Sequence, residues 1–209
     1  MTSEFQTLKE GLASLDLKVP ETLLEKFIGY LTLLERWNAT INLTAIRDRQ
    51  RMVPLHILDS LTVIPWLTGR KNLLDVGTGA GLPGIPIALI LPQLRVTLLE
   101  SNQKKVAFLR QCKLELNLNN VSIVGERVEQ WTPELPYDTI ISRAFSDLPE
   151  YVLSTRHLLE EGGELLAMKG TIPYDEINRL PADVVTKITP LHIPGLTAER
   201  HLIQISTLI

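Results

Sequence analysis

The segment Leu73-Leu74-Asp75-Val76-Gly77-Thr78-Gly79-Ala80-Gly81-Leu82-Pro83-Gly84 constrains the fold more than any other part of the chain. It reads as a short apolar strand, an acid, and a glycine-rich turn opening into a helix. Glycines at alternate positions let the backbone turn tightly and approach a ligand closely, because no Cβ stands in the way. The helix that follows offers N–H groups and the positive end of its dipole. Strand, turn and helix in that order form the first unit of a nucleotide-binding α/β domain. Incidental glycines in an ordinary turn are the plain alternative. Each would give up side-chain packing and add chain entropy, which weighs against it.

Two ligands compete for this loop. Gly79-Ala80-Gly81-Leu82-Pro83-Gly84 fits the dinucleotide fingerprint G-x-G-x-x-G. Asp75 argues for S-adenosylmethionine instead. It stands at the carboxyl end of the strand, where a carboxylate repels a pyrophosphate and favours an ammonium and a sulfonium. The pattern D-x-G-x-G-x-G resembles the first motif of class I methyltransferases. Gly77, Gly79 and Gly81 are therefore candidate cofactor residues together with Asp75. The next apolar run, Leu94 to Leu99, ends in Glu100, about twenty residues past the loop. Carboxylates at that place in α/β nucleotide sites hold ribose hydroxyls.

A chain of 209 residues allows one domain with an appendage, or two small domains. Residues 1–68 read as a helical extension packed on the core, and 69–209 as an α/β domain. Phe5, Leu8, Leu12 and Leu15 recur at helical spacing. A second helix starts at Pro20 and carries Leu23, Leu24, Phe27, Ile28, Leu31, Leu34 and Trp37 on one face. A third runs from near Gln50 to Leu67, interrupted or entered at Pro54. Strands follow at Asn72–Val76, Arg95–Leu99, Val121–Val124, Asp138–Ser142, Glu164–Met168, Val184–Ile188 and Leu202–Ser206. Helices start near Gly84, Asn102, Glu126, Leu148 and Pro173. The alternation predicts a mostly parallel seven-stranded Rossmann-like sheet covered on both faces, closed by an antiparallel hairpin. That ending distinguishes the class I methyltransferase fold from the dinucleotide fold.

The net charge is −3, so any nucleic-acid contact must come from a local basic patch. The single cysteine excludes an internal disulfide and fits a reducing cytoplasm. The N-terminal residues lack a secretory pattern, and no apolar run reaches the length of a membrane span. A cytoplasmic protein without metal or membrane partner is expected, and a monomer.

Ligands in such folds sit beyond the carboxyl ends of the strands. After the third strand, Gly125-Glu126-Arg127-Val128-Glu129 could read an adenine edge; a plain helix start is the alternative. After the fourth comes Ser142-Arg143-Ala144-Phe145. The proline-rich motif of enzymes that methylate exocyclic amino groups is missing there. Methylation of pyrimidine C5 needs a cysteine nucleophile, yet Cys112 reads as a small buried helix residue. The acceptor therefore needs neither activation. A ring nitrogen with a free lone pair fits, and guanine N7 is one. Its methylation releases no proton, so alignment of methyl, sulfur and acceptor is what remains to be supplied.

The chain resembles the bacterial small-subunit (16S) ribosomal RNA guanine-N7 methyltransferases, also called glucose-inhibited division protein B. The matching residues are Trp37-Asn38, Asn42-Leu43-Thr44, His56-Ile57-Leu58-Asp59-Ser60, Asp75 to Pro86, Ile141-Ser142-Arg143-Ala144, Lys169-Gly170 and Glu199-Arg200-His201-Leu202. The resemblance implies that Gly77, Leu82, Val128, Glu129 and Arg143 contact S-adenosylmethionine. Glu100 keeps a carboxylate where some members have Asp. It also implies 16S ribosomal RNA, or the small subunit, as the partner. Arg143 and Lys169, which ends the fifth strand, are the candidate catalytic residues. Asn38, Asn42 and Thr44 read equally as turn formers or site residues. His56 and Asp59, three apart, read as a local hydrogen-bonded pair on one helical face. Arg200 or His201 faces the RNA. Arg47, Arg49 and Arg51 form either a phosphate-binding surface or a solvated turn. The competing functions are a small-molecule methyltransferase of the same fold and a non-enzymatic nucleotide-sensing module.

The acid-flanked loop predicts that the protein binds S-adenosylmethionine and its demethylated product, and NAD far more weakly. Titration calorimetry with each ligand checks this. Tighter binding of NAD would remove the assignment.

Overall fold

The structure is a computed structural model that describes residues 3–143, 145 and 147–207. Ala144, expected in the motif after the fourth strand, lies outside the described residues. The chain opens with α1 (Ser3–Ser14) and α2 (Glu21–Asn38). Both are amphipathic, and Leu8, Leu12, Phe27, Leu31 and Leu34 are buried as their spacing predicts. Pro20 is the N-cap of α2. Its fixed φ suits a helix start, where a missing N–H leaves no bond unmade.

The expected third helix is broken more than once. It comprises α3 (Arg49–Met52), a π-helical stretch Val53–Leu58, α4 (Asp59–Leu61) and α5 (Ile64–Leu67). Pro54 and Pro65 each start a new piece, since proline removes a donor and crowds the preceding turn. The N–H of Asp59 reaches back to the carbonyl of Pro54, five residues away. Residues three apart therefore no longer lie over one another as they would in an α-helix.

The α/β part runs β1 (Asn72–Val76), α6 (Gly84–Ile90), β2 (Arg95–Leu99), α7 (Gln103–Glu115), β3 (Val121–Val124), β4 (Tyr137–Ser142), α8 (Leu148–Thr155), β5 (Leu159–Lys169), α9 (Tyr174–Ile177), β6 (Val184–Pro190) and β7 (His201–Thr207). The sheet order is β3-β2-β1-β4-β5-β7-β6. Strands β1 to β5 are parallel, and β7 is antiparallel to both β5 and β6. The closing hairpin is the expected one.

Alternation along the strands sorts the core into two clusters, one per sheet face. Leu73, Val96, Leu98, Ile141 and Leu166 pack with the N-terminal helices, α6 and α7. Leu74, Leu99, Ile140, Leu165 and Ile203 pack with α8. The second face is less covered than expected. In place of a helix from Glu126 there is one 3₁₀ turn, Val128–Gln130, and then an irregular run to β4. Pro133 and Pro136 in that run exclude a continuous helix. Thr97, Ser122, Trp131 and Tyr137 consequently line a cavity of about 660 Å³ on the sheet. No described helix is long and apolar enough to cross a membrane.

The N-terminal helices are tied to the glycine loop itself. Tyr30 of α2 is fully buried and donates its hydroxyl to the carbonyl of Ala80 at 2.7 Å. Tyr30→Phe leaves that buried carbonyl without a partner. Such a loss costs about 1–3 kcal/mol. Urea unfolding should show a drop of that size, and cofactor affinity should fall with it. An unchanged midpoint and affinity would mean the tether does not hold the loop.

Candidate active site

The loop between β1 and α6 has three glycines at positive φ: Gly77 (66°), Gly79 (60°) and Gly81 (83°). Side chains rarely adopt that conformation, so the alternation of glycines is a backbone requirement. At Gly81 a Cβ would also stand 2.3 Å from Ile85 Cδ1.

Two carboxylates close the loop from beneath. Asp75 is 0% exposed. Its Oδ2 accepts from Thr78 Oγ1 at 2.6 Å and from the N–H of Gly84 at 2.8 Å. Its Oδ1 is buried without a partner among the described residues. Glu100, at the end of β2, accepts from Gly79 N–H at 3.0 Å and from Asn102 N–H at 2.8 Å. Leu99 carbonyl takes the N–H groups of Gly77 and Thr78, and Thr78 carbonyl those of Gly81 and Leu82. From Gly77 to Leu82, Ala80 alone keeps an N–H with no partner among the described residues. The loop offers almost no free donors, contrary to the sequence expectation of N–H groups presented to a ligand. A pyrophosphate needs such donors. A ligand recognised through carboxylates does not.

Beside the loop lies a cavity of about 150 Å³ lined by Gly77, Glu100, Val128, Glu129 and Phe145, with Glu126 and Arg127 at its rim. A carboxylate has roughly four acceptor positions. Glu100 uses two on the backbone, so two remain for a ribose diol. The residues present therefore fit S-adenosylmethionine.

A second cavity of about 420 Å³ opens beyond the ends of β4 and β5. Thr44, His56 and Asp59 line one side; Arg143, Lys169 and Arg200 line the other. Asp59 is 2% exposed and bridges both arginines. Its Oδ2 accepts from Arg143 Nη1 at 3.0 Å and its Oδ1 from Arg200 Nε at 3.2 Å. His56 is also buried, with Nδ1 3.1 Å from the carbonyl of Leu55 and Nε2 3.0 Å from Thr44 Oγ1. A carbonyl only accepts, so Nδ1 carries the proton and Nε2 accepts from the hydroxyl. Burial and the nearby Arg143 charge push the imidazole pKa down to about 4, so it stays neutral. Asn38 holds the Thr44 turn, accepting from the N–H groups of Leu43 and Thr44 and donating to the Thr44 carbonyl. Arg143, expected at the cofactor, lines this cavity and not the one beside the loop, which Phe145 lines.

The family model for rRNA small subunit methyltransferase G (GidB) matches residues 23–203. The chain belongs to this family. Ribosomal RNA small subunit methyltransferase G of Chromobacterium violaceum is 52% identical over 205 residues, 98% of each chain. The same-named protein of Laribacter hongkongensis is 50% identical over 203 residues, 96% of this chain and 97% of that one. Among solved structures, an O-methyltransferase from Bacillus cereus in complex with SAH superposes with a TM-score of 0.61 at 18% identity, over 97% of this chain and 100% of that one. The O-methyltransferase TomG from Streptomyces achromogenes in complex with SAM gives 0.60 at 15% identity, over 99% of this chain and 100% of that one. These two likenesses show the methyltransferase fold.

Several expected roles change in this methyltransferase G family member. Asp75 does not line either cavity. It braces the loop from below, because its position on β1 points it into the core. Leu82 is buried in the hydrophobic core and lines neither cavity. His56 and Asp59 are not a pair; the π-helical stretch turns them toward different partners. Arg49 is no phosphate contact. It is held by Glu4 and Glu35, each at 3.0 Å, and by Thr32. Arg47 and Arg51 stay exposed. Lys169 lines the second cavity and pairs with Glu176 at 2.9 Å, tying β5 to α9. His201 is bonded to the Gly170 carbonyl, which leaves Arg200 as the cavity residue of that dipeptide. The bridging role of Asp59 had no separate signal in the sequence, since its partners lie 84 and 141 residues away. Cys112 is buried, and burial pushes its thiol pKa well up, out of the reactive range.

Burial raises the Asp75 pKa to about 6, against the hydrogen bonds from Thr78 and Gly84 that lower it. The folded value lies above the unfolded one. Its stabilising contribution is therefore complete below about pH 4 and is lost as pH rises to about 6. Asp75→Asn removes this titration. The stability of the wild type relative to the variant should fall by on the order of 2–3 kcal/mol between pH 4 and 6, then level off. Urea unfolding across that range checks it. A constant difference would mean the carboxyl does not titrate there.

Proposed function

We propose that this chain methylates N7 of a guanine in small-subunit (16S) ribosomal RNA, with S-adenosylmethionine as the donor. The observation that carries the reading is the pair of cavities at the carboxyl ends of the parallel strands, one lined by Phe145 and the other by Arg143. One is built on carboxylates beside a loop with almost no free donors, and the other on two arginines beyond β4 and β5. When bound, the cofactor supplies a sulfonium-activated methyl group. Glu100 holds the ribose hydroxyls, while Val128 and Glu129 hold the adenine. Gly77 keeps its backbone close to the ligand. Asp75, Gly79, Gly81 and Leu82 act from behind, by fixing the loop. Arg143 lines the acceptor cavity, and with Lys169 it positions the target nucleotide.

No group in the acceptor cavity is needed to remove a proton, since guanine N7 carries none. The local chemistry agrees. His56 is neutral with both ring nitrogens engaged, so it is a brace and not a base. The task is orientation of methyl and acceptor, which is where most of such a rate enhancement arises. The helical extension that precedes β1 builds the acceptor cavity through Thr44, His56 and Asp59. Exposed Arg47 and Arg51 extend the RNA face. The enzyme works as a cytoplasmic monomer without a metal.

Mapping of methylated guanines in ribosomal RNA, with and without the gene, tests the reading. One N7-methylguanine should vanish from the small-subunit RNA and return when purified protein and S-adenosylmethionine are added. An unchanged RNA would exclude this substrate. Arg143→Ala should lower the transfer rate at least tenfold, about 1.4 kcal/mol of transition-state stabilisation. Wild-type kinetics in that variant would move the acceptor site elsewhere.

A further inference from the structure

We propose that Asp59 is a positioning residue: it locks Arg143 and Arg200 into a two-armed clamp for a backbone phosphate of the RNA substrate. The proposal rests on the RNA methyltransferase reading and adds to it the part of the substrate that the acceptor cavity grips.

The two arginines come from distant places, one after β4 and one just before β7. Nothing in the sheet alone would bring their guanidinium groups to one point. Asp59 does, with one oxygen for each. It is almost wholly buried, whereas the Arg143 and Arg200 side chains remain 26% and 27% exposed. The carboxylate is thus the floor of the arrangement and the guanidiniums its open side. The Leu55 carbonyl adds a second acceptor for Arg143, and the Glu199 carbonyl one for Arg200.

A guanidinium has five N–H donors in a rigid fork. Each of these arginines uses two on Asp59 and a backbone carbonyl, which leaves three apiece at the cavity they line. Two positive charges share one negative charge. Lys169 adds no excess, because Glu176 is paired with it. What remains is a single net positive charge with forked donors, the chemistry that binds a phosphodiester bidentately. The backbone itself is arranged for this. The π-helical stretch ends at Leu58, and π turns inside helices recur at functional sites because they re-aim the residues that follow.

Charge and positioning predict opposite effects for one substitution. Asp59→Asn removes a negative charge from a basic cavity. If attraction alone mattered, RNA would bind more tightly and react as fast. If Asp59 holds the clamp, the arginines lose their fixed pose and the chemical step slows. Single-turnover methylation and KM for the RNA substrate, with calorimetric S-adenosylmethionine binding as a control, separate the two. The expected result is a methylation rate at least tenfold lower with KM not raised. A wild-type rate, or a raised KM with an unchanged rate, overturns the proposal.

Should Asp59→Asn fail to fold, Arg200→Lys is read instead. It keeps the charge and loses the fork, so the rate should again fall at least tenfold; equality with wild type overturns the proposal. Arg200→Ala tests the phosphate. The slope of log affinity against log salt should flatten by about 0.7–0.9, one lost contact. An unaltered slope removes the phosphate from the clamp. Failure of the wild type to methylate ribosomal RNA would strike the proposed function. Active wild type with unaffected variants would strike this inference alone.

Discussion

Asp75 Oδ2 takes the Thr78 hydroxyl and the Gly84 N–H at once, and the shape of the whole site follows from that pair of bonds. They fold the chain back across the end of β1, so that α6 starts against the strand it came from. Gly84 has to be glycine for this, since a Cβ would stand 2.7 Å from the same oxygen and 2.3 Å from Leu98. Glu100 then anchors the middle of the loop through Gly79, and Tyr30 anchors the far side through Ala80. Three separate elements hold one turn. The result is a loop whose donors are consumed internally and whose exposed chemistry is carboxylate. A site of that kind selects a cationic nucleoside over a dinucleotide by electrostatics before any shape is considered.

The price of the arrangement is a carboxyl buried without a counter-ion, which is why the Asp75 pKa is raised while Glu100 stays at the cavity edge. Asp59 solves a similar problem differently. It too is buried, but two guanidiniums neutralise it, and both can approach because β4 ends and β7 begins at the same side of the sheet. The antiparallel insertion of β7 between β5 and β6 does this. It places the residues just before β7 beside the end of β5, as the Lys169–His201 register records. The strand order and the arginine-lined cavity are therefore one structural fact. The N-terminal extension completes it, because Asp59 and His56 come from the broken segment between Arg49 and Leu67.

Local patterns carried most of the fold and few of the contacts within the candidate site. β1, β2 and β3 stand where apolar runs place them; β1 is buried almost throughout, and β2 and β3 keep buried residues on the face that packs on the helices. The glycine loop was legible because each positive φ demands a residue that few other positions favour. Glu100, Val128 and Glu129 line one cavity and Arg143 the other, beyond the strand ends at which the sequence put them. Partners were not. Arg49 looks like its neighbours Arg47 and Arg51 in sequence, yet Glu4 and Glu35 draw it onto the first two helices. His56 and Asp59 have α-helical spacing, and only the π turn after Pro54 separates them. Asp75 and Leu82 sit within a binding motif, yet their side chains point inward. Adjacency in a motif says which residues shape a site; it does not say which of them touch the ligand.

An acidic chain that acts on RNA must concentrate its positive charge, and simple counting of basic residues misjudges where. Arg49, Arg70 and Lys169 all look available in the sequence. Each is bound to a carboxylate, and each serves as a tie between elements. Such pairs contribute little field beyond a few ångströms. A one-to-one pairing of Arg143 or Arg200 with its own acid would have done the same at the cavity they line. Sharing one buried carboxylate between two guanidiniums fixes both and leaves one charge uncompensated. That is how rigidity and a positive potential coexist there, where ordinarily one is gained at the expense of the other. With an overall charge of −3, such a local excess matters more than the total count of basic residues.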